Sequence, residues 1–137
     1  IKKYGEFTLN IPCQEILNKV EMAGFHSGQN KIGMADITYD LGEKVDAPLL
    51  DECLLGIECR VENIVEHGDY TNFIATIERR VICDEMLNED GSLNSRDFNP
   101  IYFMGDDKER IYRYFNSDTK KLGENMGCSA EDDSICG

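Results

Sequence analysis

Between residues 54 and 84 apolar and polar positions alternate in two runs separated by a polar turn. In the first run Ile57, Cys59 and Val61 alternate with Glu58, Arg60 and Glu62. In the second, Phe73, Ala75, Ile77, Val81 and Cys83 share one parity, and Thr76, Glu78 and Arg80 the other. A period of two residues is the signature of a half-buried strand. The connector His67-Gly68-Asp69 is short and contains glycine, so the two strands are predicted to form an antiparallel hairpin. With Val61 opposite Ile77, Glu58 faces Arg80 and Arg60 faces Glu78 on the wet face. Each such cross-strand pair contributes about 0.2–1 kcal/mol, which favours this register. Arg79 breaks the apolar parity and predicts a bulge or the rim of a barrel.

The pattern elsewhere is shorter. Residues 6–11 alternate (Phe7, Leu9 and Ile11 against Glu6, Thr8 and Asn10) and predict a strand ended by Pro12. Ile16, Leu17, Val20 and Ala23 recur at helical spacing, predicting a helix over 13–24 with a poor N-cap and a stop at Gly24 and Gly28. Residues 26–31 form a polar loop. Residues 34–44 fit either a short helix or a loop. Residues 45–50 read as extended, because the residue before Pro48 is pushed out of the helical region. Residues 88–92 (NEDGS) are a turn, and 99–104 (NPIYFM) a last short strand. Residues 106–123 are charged, with Ile111, Tyr112, Phe115 and Leu122 as anchors. Residues 124–137 are acidic and rich in small side chains, so a disordered tail is expected there. The chain opens at Ile1 and enters a strand almost directly, which leads us to expect a preceding segment in a longer parent.

Length suits one domain with a real core. The formal net charge of -13 argues against a nucleic-acid backbone or an anionic membrane surface as partner. No apolar run approaches the ~20 residues of a membrane span, and no signal-peptide pattern is present. There are six cysteines and no CxxC pair. Cys59 and Cys83 fall on apolar strand faces, where cysteine behaves as a small hydrophobe. A reducing, cytoplasmic setting is expected.

No catalytic constellation is local in sequence, and no metal site is indicated. His26 and His67 both lie in loops. Ser27-Gly28-Gln29-Asn30-Lys31 is the best anion-binding candidate, since glycine lets the backbone approach while hydroxyl, amide and ammonium groups donate. A plain helix-exit loop has the same composition. Cys13 lies near a helix N-terminus, where a thiol is activated, or is simply packed. Cys128 and Cys136 are either free thiols or a pair able to bridge or bind metal. Tyr102 and Phe103 could stack on a planar ligand or fill the core, and Tyr112 and Tyr114 share that ambiguity.

The order of these pieces carries more than any one of them. GEFTLNIP at 5–12, a helix, the Ser27-Gly28 loop with Lys31, V-x-A-P-L at 45–49, and C-x-L-x-x-E-C-R-V at 53–61 come first. G-D-x-x-x-F-I at 68–74, Asp90-Gly91, NPIYF at 99–103 and LGE at 122–124 follow. Together they resemble the flavin reductase-like family, with the flavoredoxin-like branch nearest. The resemblance implies a mainly β fold: a Greek-key antiparallel split β-barrel with peripheral helices, of the FMN-binding type. It further implies a homodimer with FMN near the subunit interface, and electron transfer from a reduced nicotinamide, NAD(P)H, or a protein donor to flavin or an acceptor. Lys31, with Ser27 and Gly28, matches the family's flavin-side lysine loop, although the family's spacer is usually longer. Tyr70 stands where the family often has a flavin-contacting His. Tyr102 and Phe103 match an aromatic segment near the cofactor. The family's N-terminal strands have no counterpart in this sequence. Residues 1–123 are therefore expected to form the C-terminal two-thirds or so of one split-barrel domain, with 124–137 as a tail. A non-catalytic FMN-binding or dimerisation module of the same fold is the alternative.

Overall fold

The computed structural model describes residues 1–26, 31–105, 109–115 and 118–120. Seven strands and two helices follow in chain order: β1 (Glu6–Pro12), α1 (Leu17–Phe25), α2 (Lys31–Met34), β2 (Tyr39–Leu41), β3 (Pro48–Leu50), β4 (Cys53–His67), β5 (Tyr70–Ile82), β6 (Tyr102–Gly105) and β7 (Arg110–Arg113). All pairing is antiparallel. β1, β4 and β5 form a three-stranded sheet with β4 in the middle, and β2–β3 and β6–β7 are separate hairpins. The fold is mainly β with peripheral helices, and among the described residues no sheet closes on itself.

The long hairpin forms where alternation predicts it. Its turn is Gly68-Asp69, with Gly68 at φ 56°, a conformation glycine takes without steric cost. The register differs from the predicted one. Glu58 lies opposite Arg79, Ile57 opposite Arg80, Cys59 opposite Ile77 and Val61 opposite Ala75. Two irregularities account for the difference. One extra residue, Glu78, sits between Arg79 and Ile77, and another, Glu62, between Val61 and Asn63. A uniform two-residue period contains no bulge, so it slides the pairing. The irregularity at Glu78 lies beside the parity break at Arg79. Arg60 still reaches Glu78, at 3.7 Å, and also Glu6, at 3.2 Å.

A second correction concerns the face expected to be wet. Glu58 is fully buried, at 0% exposure. The polar side of β1 is a comb that docks the following segment. Thr8 Oγ1 and Asn10 Nδ2 donate to the Pro48 carbonyl at 2.5 and 3.2 Å, the Leu50 N–H donates to Asn10 Oδ1 at 3.0 Å, and the Asp46 N–H donates to Glu6 Oε1 at 3.0 Å. Residues 42–50 thus cover the polar side of β1 and β4. On the other face Phe7, Leu9 and Ile11 stand opposite Cys59, Ile57 and Leu55. Ile16, Ala35, Val45, Cys53 and Cys59 are the buried apolar residues.

The helix starts later than predicted. A 3₁₀ turn occupies Gln14–Ile16, no side chain caps α1, and α1 ends at Phe25. Lys19 Nζ anchors it, donating to the Asp36 carbonyl at 2.8 Å and to Glu52 Oε1 at 2.6 Å. The ambiguous stretch 34–44 contains the end of α2 and all of β2. The last strand starts at Tyr102 and has a partner, β7, which the charge pattern had obscured. Gly28, the second helix stop, the expected tail at 124–137 and Cys128 and Cys136 lie outside the described residues.

Candidate functional site

An open pocket of about 400 Å³ lies between the last turns of α1 and the β6–β7 hairpin. Val20, Glu21, Gly24 and Phe25 form one wall; Phe103, Arg110 and Tyr112 form the other. Phe25 and Phe103 are 82% and 62% exposed, a large aromatic area left to solvent. Phe103 packs edge-to-face on its ladder partner Tyr112, with ring centroids 5.7 Å apart. That contact fixes the Phe103 ring while leaving one side of it open. Arg110 adds a permanent positive charge to this apolar wall. Lys31, the first residue of α2, is exposed and comes six residues after Phe25. Ser27 and Gly28, the rest of the lysine loop, lie outside the described residues.

Adjacent residues on a strand point to opposite sides. Tyr102 accordingly lines a different cleft, with Arg113, Tyr114 and Phe115, and its ring meets Phe115 edge-to-face at 4.8 Å. Tyr70 stands at the tip of the long hairpin, opposite His67, and is 77% exposed. β4 has 15 residues, so the tip is roughly 45 Å from Cys53 at its start. The Lys19–Glu52 bridge holds α1 at that starting end. Of the six residues singled out in the sequence, Phe103 lines the α1 pocket, Tyr102 lines a different cleft, Lys31 is exposed on α2, which packs against α1, and Tyr70 lies at the far tip of the long hairpin. Phe25 and Arg110 were missed. Their signal was a terminal helix aromatic and the strand-forming pair Ile111-Tyr112 between Arg110 and Arg113.

A second cavity, of about 450 Å³, lies beneath β2–β3 and is lined by Arg79, Glu43, Cys53 and Cys83 among others. Beside it is the buried Glu58 carboxylate. Its Oε2 accepts the Lys44 and Val45 N–H groups at 2.6 and 3.1 Å, and its Oε1 accepts Arg79 Nη1 at 3.1 Å. Arg79 Nη2 also reaches Glu43 Oε1, at 3.0 Å. Burial alone would raise the Glu58 carboxyl; donation from the Lys44 amide, Arg79 and the Val45 and Glu43 amides outweighs it and holds the group below the ordinary carboxylate value. Three donors, two of them backbone amides, hold this carboxylate, so its role is to fix the 42–45 loop. Among the described residues no group of three or more His, Cys, Asp or Glu side chains is placed to hold a metal ion. Nor is any described helix long and apolar enough to cross a membrane.

Comparison with known proteins follows the same lines. The solved flavoredoxin of Desulfovibrio vulgaris (Miyazaki F) superposes with a TM-score of 0.77 at 29% identity, over 89% of this chain and 65% of that one. A flavoredoxin from Methanosarcina acetivorans gives a TM-score of 0.78 at 24% identity, over 92% and 68%. An uncharacterised protein of Pyrococcus abyssi is 38% identical over 77 residues, 56% of this chain and 45% of that protein. The chain spans about half the length of the curated relatives it matches. The split-barrel architecture expected from the sequence is thus the architecture of its structural neighbours. With the flavin reductase like domain matched over residues 1–119, the chain belongs to the flavin reductase-like family.

Proposed function

We propose that this chain forms the larger part of an FMN-binding electron-transfer protein of the flavoredoxin type, and that the pocket between α1 and β6–β7 holds the flavin. The observation that carries the reading is the pairing of open aromatic walls (Phe25, Phe103 and Tyr112) with cationic Arg110 in one pocket. A planar, anionic cofactor needs both: apolar faces for the ring, and positive charge for a phosphate in a chain of net charge -13. The residues present fit that group.

In this reading Phe25 and Phe103 exclude water from the ring faces. Arg110 and Lys31 supply the countercharge, with Ser27 and Gly28 donating beside them. Bound FMN supplies the redox chemistry, with a reduced nicotinamide or a protein as donor. Tyr70, at the tip of the long ribbon, reaches a flavin edge only from a second copy of the chain, in keeping with a homodimer whose cofactor lies near the subunit interface. Tyr102 then stiffens the hairpin through Phe115. Residues 1–123 act as one domain, 124–137 as a tail, and the setting is cytoplasmic. A second reading, a non-catalytic FMN-binding or dimerisation module, is favoured by the open sheets and by a tyrosine, Tyr70, standing where the family often has a flavin-contacting His.

The test is flavin uptake by the full chain, followed by visible absorbance, and then reduction by a nicotinamide. Uptake weakened by Lys31→Ala supports the site. Uptake without turnover selects the second reading, and a folded protein that takes up no flavin rejects both.

A further inference from the structure

Three thiols share one end of the central sheet. Cys13 follows β1, Cys53 opens β4 and Cys83 follows β5. Pro12 is the ladder partner of Cys53, which places Cys13 one residue beyond that partner. The Cys13 thiol donates to the carbonyl of Glu52, the residue preceding Cys53, at 3.7 Å. Across the other ladder the Cys83 N–H donates to the Leu54 carbonyl at 3.3 Å. All three are free, Cys53 buried and the other two half-buried. Ladder partners have Cα atoms about 4.5–5.5 Å apart, so a residue one step along is within a small backbone adjustment of the ~4.4–6.8 Å that a disulfide spans. The register shift between Ile11 and Pro12 makes Leu54 an extra residue there, and such a bulge re-aims the side chains next to it.

We propose that Cys13 and Cys53 form a reversible disulfide when the protein meets hydrogen peroxide, clamping the start of the α1 segment to the start of β4. Cys13, the more accessible of the two, reacts first. Its thiolate sulfur bonds to one peroxide oxygen, the O–O bond breaks, and the other oxygen leaves as water after taking a proton. The Cys53 sulfur then attacks the sulfenic acid, the S–S bond forms, the S–O bond breaks and a second water leaves. Two thiols are oxidised by two electrons and one hydrogen peroxide is reduced. Burial holds both thiols above their ordinary value, and Cys53, pushed up to about 11, is raised further by the charge of Cys13. The reaction is therefore slow and needs sustained exposure rather than a brief pulse. Its effect reaches the α1 pocket, because α1 carries Gly24 and Phe25.

The experiment treats the reduced full chain with hydrogen peroxide, blocks remaining thiols with N-ethylmaleimide and maps the peptides by mass spectrometry. The expected result is a Cys13–Cys53 cross-link, loss of two of the six thiols, and a melting temperature raised by about 5–10 °C that dithiothreitol reverses. Cys83→Ser should keep both the link and the shift, and Cys13→Ser should lose both. A Cys53–Cys83 link, links only between chains, or six thiols still free after prolonged exposure would overturn the proposal.

Discussion

Glu58 and Arg79 are bound to each other across the central ladder, Oε1 to Nη1 at 3.1 Å, with the carboxylate fully enclosed and the guanidinium reaching toward solvent. The pair exists because Glu78 is extra on β5, which turns Arg79 to the side where Glu58 points. Removing one member of a buried pair leaves the other uncompensated, at a cost of about 3–5 kcal/mol. Two backbone amides still serve Glu58, so Arg79→Ala should fall at the lower end of that range. Urea unfolding of Arg79→Ala, Arg79→Lys and the parent protein measures it. Destabilisation by Ala alone, with Lys near the parent, is the expected order.

The same carboxylate makes stability depend on pH. Its folded value lies below the ordinary 4.5, so the unfolded chain binds its proton more readily. Stability from this group is therefore fully present above 4.5 and is lost as pH falls through the lower, folded value. Glu58→Gln should flatten the acid limb of the stability curve relative to the parent. An unchanged acid limb would show that the carboxylate is not bound as described.

Two glycines near this loop should respond differently. A Cβ at Gly42 would lie 2.6 Å from Glu58 Oε2, which is held by the Lys44 and Val45 amides, and 2.7 Å from the Val45 carbonyl oxygen, which is backbone. A Cβ at Gly56 would meet the Leu49 Cδ2 methyl at 2.6 Å, the end of a side chain that can turn. Overpacking costs about 1–3 kcal/mol. Gly42→Ala should take the larger share and Gly56→Ala the smaller, read from paired thermal melts.

The outline of the fold was legible because alternation survives wherever a strand has one buried face. β1, β4 and β5 all announced themselves in this way, and the order of motifs pointed to the family. Register was not legible, since a bulge adds a residue without leaving a compositional mark; only Arg79 hinted at it. Glu58 read as a surface charge because two of its three partners are backbone amides, of residues 44 and 45, which no side-chain pattern reports, and the third, Arg79, reaches it only through the bulge. The polar residues of β1 misled for the same reason: Thr8 and Asn10 serve the backbone of β3 rather than water. Of the residues lining the α1 pocket, Phe103 stood out in sequence. Arg110 did not, because β7 lies in a stretch whose charge hid its strand period.

The split between Tyr102 and Phe103 bears directly on the central claim. They are neighbours in the chain, yet only Phe103 faces the α1 pocket. Fluorescence titration of FMN into the full chain, the parent protein against Phe103→Ala and Tyr102→Ala, is the most direct measurement. Removing one stacked aromatic costs about 1–1.5 kcal/mol or more, so Phe103→Ala should weaken binding roughly tenfold or more, with Tyr102→Ala close to the parent. Equal losses in both variants, or no saturable binding by a folded parent protein, would contradict the placement of the flavin between α1 and the β6–β7 hairpin.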